Sequence, residues 1–274
     1  MKMLVRKLIA AMCVAVCLPF WSCSTVKEDR TDCPCTLNVN LDDFALHCDS
    51  RSVMVQVMGE QLIQKTVNPQ DYIGHGYDVE VKRRMNRVSV VSGLDASVVT
   101  GDTLAVAEGV EADALYVFSE MVQCEGELAS VVAAPLKKWC DVHIVIVGEG
   151  TPDNYLCDIV LSAECRGMSL STGYPSRGEY RALATRKKAG ELVVRLPRQE
   201  ESVVRLDFYE RNESREYESS EAVFNMEIGS LMNQQGYDWS KDNLDDIYVY
   251  VDHTRMTAIV EVSGWIDEKI QEEI

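Results

Sequence analysis

The sequence predicts an all-β protein with two β-sandwich domains in series. Polar and apolar residues alternate over short runs, such as residues 36–41 and 53–58, as they do in half-buried strands. Such runs recur roughly every ten residues, and no long stretch has the periodicity of a helix. The chain has 274 residues, which is enough for two ordinary domains even after removal of a signal peptide.

The first predicted sandwich covers residues 36–130. Besides the two runs above, strands are expected at residues 78–82, 87–91, 103–106 and 114–118. Glycines punctuate the turns between them. Residues 127–138 lose the alternation and contain Pro135, so a connection between the two domains is expected there.

The second predicted sandwich covers residues 139–274. Strands are expected at residues 140–147, 191–196 and 202–208, followed by a hairpin that joins 247–251 to 256–262. Residues 154–163 fit either a strand or a short amphipathic helix. Residues 167–178, rich in Ser and Gly, predict a loop, and the highly charged residues 211–221 predict a solvated loop.

The N-terminus predicts export. Three basic residues precede an apolar run at residues 8–21, which is shorter than the roughly 20 residues that span a bilayer. This length and charge pattern is typical of a secretory signal peptide, which we assign to residues 1–22.

Cys23 is the predicted site of lipidation. Ser22-Cys23 follows the apolar run and resembles a lipobox, in which the cysteine receives an S-diacylglycerol and, after cleavage, an N-palmitoyl group. Three acyl chains on one residue anchor a protein far more firmly than one. Residues 23–35 then form a lipidated tether. The alternative is an ordinary cleaved signal peptide, with Cys23 an incidental thiol.

Charge excludes one class of partner. Residues 1–22 carry three basic and no acidic residues, so their removal takes the net charge from −17 to −20. Nucleic-acid binding requires a basic footprint, and none is predicted here. The acidic balance is compatible with an exposed surface beside a membrane but names no partner.

Seven cysteines remain in the mature chain besides Cys23. They are Cys33, Cys35, Cys48, Cys124, Cys140, Cys157 and Cys165. An odd number leaves at least one unpaired within the chain. An exported location permits disulfides, and Cys33 or Cys35 is a candidate to form one, with the partner left open. Cys33-Pro34-Cys35 is not followed by a second cysteine pair at zinc spacing, so no metal site is predicted.

No catalytic constellation is present in the sequence. The four histidines lie far apart, and the motifs of metalloproteases, serine hydrolases, P-loop proteins and dinucleotide-binding proteins are missing. The acidic residues 242–246 lack the register of a calcium loop. We therefore predict a protein that is not an enzyme and needs no cofactor.

Short motifs at both ends of the chain occur in a recognisable order. Cys23 is followed by Glu28-Asp29-Arg30 and then by Cys33-Pro34-Cys35 before the first strand. Tyr237-Asp238-Trp239 and Gly264-Trp265 lie near the other end. In this combination the sequence resembles the fimbrial anchor lipoproteins of the Bacteroidales, the FimB-like and Mfa-like family.

The resemblance implies two transthyretin-like β-sandwich domains and a place at the base of a surface fimbrium. There an anchor would attach the fibre to the outer membrane and limit its length. Lys27-Glu28-Asp29 resembles the signal that sends such lipoproteins to the cell surface.

The expected partner is the fimbrial shaft subunit, joined by strand exchange. The C-terminal hairpin is one candidate donor, and a closed C-terminal domain is equally consistent with the sequence. The alternative function is a glycan-binding surface lipoprotein, which would require exposed aromatic platforms.

Overall fold

β-Strands are the dominant secondary structure of the computed structural model, which describes residues 30, 33–48, 52–147, 157–188, 190–210, 221–252, 255 and 257–263. From Pro34 onward the strands form two β-sandwiches within one unit. Residues 1–29, and with them the predicted signal peptide, lie outside the described residues. The predicted all-β class with two sandwiches is confirmed.

The first sandwich packs a three-stranded sheet, sheet A, against a five-stranded sheet, sheet B. In spatial order, sheet A consists of β4 (Tyr77–Lys82), β1 (Pro34–Asn40) and β9 (Leu128–Val132). Sheet B consists of β10 (Leu136–Lys137), β8 (Tyr116–Gln123), β5 (Met85–Ser92), β2 (Val53–Met58) and β3 (Leu62–Val67). The alternation in β1 buries Cys35, Leu37 and Val39 completely between the sheets.

The second sandwich pairs two larger sheets, C and D. Sheet C consists of β17 (Phe224–Glu227), β16 (Val204–Glu210), β12 (Cys157–Ser169), β7 (Thr103–Val106) and β6 (Ser97–Thr100), with β13 (Pro175–Leu183) also paired with β12. Sheet D consists of β14 (Thr185–Lys188), β15 (Glu191–Pro197), β11 (Trp139–Val147), β18 (Asp246–Asp252) and β19 (Thr257–Ser263). Inward-facing side chains of both sheets form one continuous core.

Three short helical segments complete the described fold. They are α1 (Asp42–His47), a 3-10 turn (Pro69–Tyr72) and α2 (Gly229–Gln234). In α1, Phe44 is fully buried against the first core. The side-chain amide of Gln70 donates to the carbonyl of Ala45 at 2.6 Å, which ties the 3-10 turn to α1.

The β6–β7 hairpin joins the two sandwiches. It lies within the 36–130 range predicted for the first sandwich, yet β7 pairs with the far end of β12 in sheet C. At Gly167 of β12, a Cβ atom would lie 2.2 Å from the carbonyl oxygen of Leu104. Only glycine permits the backbones to approach this closely. The second sandwich therefore contains two strands from the earlier part of the chain.

A third apolar cluster fills the space between the sandwiches. Sheet B contributes Met54, Val91 and Val117 from the face opposite the first core, and they meet Leu104 of β7 and Met168 of β12. None of these side chains is more than 3% exposed. The sandwiches therefore contact each other through a buried apolar cluster, packed like the interior of a single domain.

Several predicted strands are confirmed. β2 and β7 have the predicted bounds, and β18 and β19 pair along their whole length as the predicted hairpin. In β18 every second side chain enters a core, as alternation predicts, whereas β2 is buried on both faces.

Two predictions about connections need correction, and one open assignment is resolved. Of the two alternatives for residues 154–163, the described part is a strand, because β12 begins at Cys157 and lies between β13 and β16. The predicted connection 127–138 contains β9 and β10, and the loop at 167–178 shrinks to the turn between β12 and β13. The strand β9 was not predicted because it lies at a sheet edge, where Val131 is its only buried residue. The charged residues 211–220 lie outside the described residues.

Tyr180 of β13 connects three segments of the chain. Its side chain is buried, and its hydroxyl donates to the carbonyl of Arg195 at 2.5 Å while accepting from the amide of Ala112 at 3.0 Å. Burial raises the pKa of Tyr180, which keeps the hydroxyl protonated and able to donate. Ala112 lies on the path from β7 back to β8, so Tyr180 holds this return path against sheet D.

We expect Tyr180→Phe to lower the free energy of unfolding by about 1–3 kcal/mol. The carbonyl of Arg195 and the amide of Ala112 would then lose the hydroxyl as their hydrogen-bond partner. The control Tyr174→Phe removes a hydroxyl from a side chain in a residue that is 72% exposed, and a change within about 0.5 kcal/mol is expected. Urea denaturation of the purified protein measures both. Equal effects of the two substitutions would contradict the role given to Tyr180.

Candidate functional site

The predicted attachment residues divide between described and undescribed parts of the chain. Cys23 and Lys27-Glu28-Asp29 lie outside the described residues, and their roles stay predictions. Cys33 and Cys35 are described, and both have free thiols. Cys35 is fully buried on β1, in the core of the first sandwich. A disulfide at either cysteine also stays a prediction.

Besides the passages to and from the β6–β7 hairpin, the chain crosses between the sandwiches at a one-residue joint, Lys138. β10 of sheet B ends at Lys137, and β11 of sheet D begins at Trp139. The amide of Lys138 donates to the carbonyl of Leu115 in the first half, at 3.0 Å, and its carbonyl accepts from the amide of Arg198 in the second half, at 3.2 Å. The backbone is therefore held on both sides where the chain crosses.

The side chain of Lys137 adds a buried ion pair to the joint. Its ammonium lies 2.6 Å from Asp246 Oδ1, and the Lys137 side chain is only 3% exposed. Asp246 Oδ1 also accepts the amide of Asp141 at 2.7 Å, and the amide of Lys137 donates to Asn243 Oδ1 at 2.7 Å. Lys137 of sheet B is thus hydrogen-bonded to Asn243, just before β18 of sheet D, and to Asp246, the first residue of β18.

Lys138 carries a second buried ammonium at the same place. Burial, followed by the nearby guanidinium of Arg198, lowers the pKa of Lys138 to about 8. Its Nζ donates to the carbonyl of Asp242 at 3.0 Å. Arg198 also donates to the carbonyl of Lys241. Two lysines and an arginine are therefore held by carbonyls and carboxylates of the segment between α2 and β18.

The edge of sheet A is open at β9. This strand pairs with β1 on one side, and no described strand pairs with its other side. Leu128 and Val132 on β9 are 78% and 62% exposed, on the face opposite the buried Val131. An unpaired strand edge with exposed apolar side chains is a template for pairing with another chain.

The C-terminal hairpin is built into its own sheet. β18 lies between β11 and β19, and its residues Ile247, Val249 and Val251 are buried. In this arrangement the hairpin completes sheet D and does not extend away from the second sandwich as a free donor strand. β19 forms the edge of the sheet, with Ile259 exposed.

A polar cleft of about 630 Å³ opens at the boundary of the two sandwiches. Its lining includes Asp113 from the first half and Trp139 and Arg195 from the second. Within the described residues, Ser92 Oγ and Trp139 Nε1 are buried in this lining and have no hydrogen-bond partner. The ammonium of Lys137 lies 4.4 Å from the centre of a Trp139 ring, and the guanidinium carbon of Arg195 lies 5.3 Å from it. The mostly buried indole is therefore not an exposed aromatic platform.

The described residues contain neither a membrane-spanning helix nor a cluster of metal ligands. Their helices lack the length and apolar character needed to cross a bilayer. Among the same residues, no group of three His, Cys, Asp or Glu side chains comes together as metal ligands would.

Several solved structures have the same architecture. No family model and no curated protein sequence matches the chain. The fimbrial anchor protein Mfa2 from Porphyromonas gingivalis is 11% identical, with a TM-score of 0.57 over 85% of this chain and 98% of that one. A Bacteroides thetaiotaomicron protein proposed to bind polysaccharides is 14% identical, with a TM-score of 0.59 over 88% of this chain and 100% of that one.

A third structure, a Bacteroides ovatus protein proposed to be an adhesin, is 13% identical, with a TM-score of 0.55 over 89% of this chain and 96% of that one. The chain has the fold of these fimbrial and adhesin proteins. The fold implied by the N-terminal and C-terminal motifs is thereby confirmed. At these identities the likeness establishes the shared fold.

We expect Asp246→Asn to lower the free energy of unfolding by about 3 kcal/mol, because the buried ammonium of Lys137 then lacks its counter-charge. The matched control is Glu200→Gln, which neutralises a carboxylate paired with Arg177 at an exposed site. Less than about 1 kcal/mol is expected for the control. Chemical denaturation at neutral pH measures both. A loss at Asp246 no larger than that at Glu200 would show that the joint ion pair adds nothing.

Proposed function

We propose that the protein is the lipid-anchored structural subunit at the base of a surface fimbrium. It attaches the fibre to the outer membrane and limits the length of the fibre. The observation that carries the proposal is the fold, which matches that of a fimbrial anchor protein over 85% of this chain. The signal peptide and Cys23 supply the membrane attachment, and Lys27-Glu28-Asp29 directs the protein to the cell surface.

The joint between the sandwiches supports a role as a rigid structural subunit. A subunit at the base of a fibre has to keep its shape when it is pulled. In this protein the crossing at Lys138 has backbone hydrogen bonds to both halves, and a shared apolar cluster packs the halves together. The two halves therefore keep a fixed arrangement, whereas a flexible linker would let them move apart.

The open edge at β9 is the proposed site for the shaft subunit. A donated strand would hydrogen-bond to the free side of β9, and its side chains would pack beside Leu128 and Val132. We favour this edge over the C-terminal hairpin as the strand-exchange element, because β18 is a central strand of sheet D. The anchor is then the acceptor, and the shaft subunit is the donor.

A second candidate function is glycan binding at the cleft. The unpartnered Ser92 Oγ and Trp139 Nε1, considered within the described residues, favour a polar ligand there. A protein with the same fold is proposed to bind polysaccharides. The cations at the Trp139 ring count against it, because sugars usually stack on an exposed aromatic face. Binding of the soluble chain to a glycan array would support this candidate.

We expect Cys23→Ala to release the protein from the cell envelope and to leave fibres detached and longer than normal. Loss of the acyl chains removes the apolar surface that inserts into the membrane. Fractionation with immunoblotting reports the attachment, and electron microscopy of fibres reports their length. The nearby control Cys33→Ala keeps the lipidation site and is expected to leave both readouts unchanged. Fibres that stay cell-bound at normal length in Cys23→Ala would refute the proposal.

We expect Leu128→Lys/Val132→Lys to weaken capture of the shaft subunit by about 10- to 100-fold, because two apolar side chains no longer pack against the donated strand. Both side chains are largely exposed, so the unfolding midpoint should stay unchanged. Co-purification of the shaft subunit with the lipidated anchor measures capture.

The control Ile259→Lys places the same charge on an exposed position of a different edge strand, β19. Full capture is expected for this control. Loss of capture by Ile259→Lys, with the β9 variant unaffected, would move the partner site to sheet D.

A further inference from the structure

Two cysteines lie side by side in the core of the first sandwich. Cys35 is on β1, and Cys124 follows the end of β8, one residue beyond Gln123. Both are completely buried, and both belong to the same apolar core. They come from opposite sheets of the sandwich, because β1 lies in sheet A and β8 in sheet B.

Backbone hydrogen bonds bring the two residues to the same end of the sandwich. In the β1–β4 pair, Cys35 lies opposite Val81. Three residues later, in the turn between β4 and β5, the carbonyl of Arg84 accepts the amide of Cys124 at 3.0 Å. The amide of Thr36 donates to the carbonyl of Glu127 at 2.8 Å, which ties the next residue of β1 to the segment after Cys124.

The two thiols also influence each other electrostatically. Burial raises the pKa of Cys35 first, and the neighbouring Cys124 thiol raises it further. Each thiol now donates to a nearby carbonyl, Cys35 to Thr36 at 3.7 Å and Cys124 to Val122 at 3.9 Å. Two neighbouring buried thiols can instead bond to each other once their sulfurs approach to disulfide distance. Cys140, by contrast, lies in the other sandwich, where its thiol contacts the carbonyl of Leu196.

We propose that Cys35 and Cys124 form a disulfide in the exported protein. The sulfur–sulfur bond forms by exchange with a disulfide-donating oxidant of the exported compartment, such as a thiol oxidoreductase. As the bond forms, the two cysteine thiols give up two protons and two electrons, and the oxidant's disulfide takes them up and becomes two thiols. Cys35 is then not available to form a disulfide with Cys33.

The bond would join the two sheets where the tether enters the fold. The chain reaches β1 directly from the tether, so tension on the N-terminus acts first on this strand. β1 is held in place by hydrogen bonds to β4 and β9 and by the packing of its buried side chains. A covalent link from Cys35 to Cys124 transfers the load to sheet B and closes a loop of about 90 residues. The disulfide itself does not depend on the fimbrial role.

Mass spectrometry of tryptic peptides tests the pairing. The full-length protein is isolated from cell envelopes and alkylated without reduction. Cleavage after Lys and Arg gives peptide 31–51, which contains Cys33, Cys35 and Cys48, and peptide 88–137, which contains only Cys124. We expect these two peptides to be linked, with the combined mass reduced by two hydrogens.

Single variants identify the sulfur in peptide 31–51. The link is expected to persist in Cys33→Ser and in Cys48→Ser, and to disappear in Cys35→Ser and in Cys124→Ser. Recovery of Cys124 as an alkylated thiol in the wild type would overturn the proposal. A link that disappears with Cys33 or Cys48, and not with Cys35, would overturn it as well.

A stability measurement covers the case in which single variants fold poorly. Reductant is expected to lower the thermal midpoint of the wild type by about 10 °C, because a large loop is opened in the unfolded chain. The double variant Cys35→Ala/Cys124→Ala should be insensitive to reductant, whereas Cys140→Ala should keep the wild-type response. A wild-type midpoint that reductant does not shift would contradict the disulfide. None of these readouts involves fibres, so they leave the fimbrial proposal untouched.

Discussion

The passage of the chain through Lys138 is the constraint on which the rest of the architecture depends. In the described stretch from β10 to β11, one residue separates a strand of one sandwich from a strand of the other. Its amide and carbonyl are bonded to different halves, so neither half can rotate without breaking hydrogen bonds. The ion pair of Lys137 with Asp246 forms only when both halves are folded and in contact, because each residue comes from a different sandwich. Folding and orientation are therefore coupled.

Much of this fold could be predicted from residue alternation, and the exceptions have physical causes. β1 and β18 each bury one face in a single core, so their side chains alternate as the pleat requires. Edge strands such as β3 and β9 bury little and show no such pattern. The destination of the β6–β7 hairpin was also hidden, since alternation identifies a strand but not its partner sheet.

The candidate sites divide in the same way between local and spatial information. Lipidation at Cys23 can be predicted because it depends on a short segment that an enzyme reads as an extended chain. The proximity of Cys35 to Cys124 could not be predicted, since 88 residues separate them in sequence and only the folded sheets bring them together. The buried ion pair between Lys137 and Asp246 could not be predicted either, because a lysine in a sequence is usually a solvated surface residue.

The shared hairpin has a consequence for how the protein can be divided. A fragment beginning at the second predicted domain would lack β6 and β7, so the end of β12 would keep β13 on one side and lose β7 on the other. Gly167, where the backbone of β7 approaches closely, would then lack that neighbour. During synthesis the N-terminal half emerges first and must keep this hairpin available until the later strands of sheet C have been made. The complete pair of sandwiches is therefore the smallest unit that can be excised with sheet C intact.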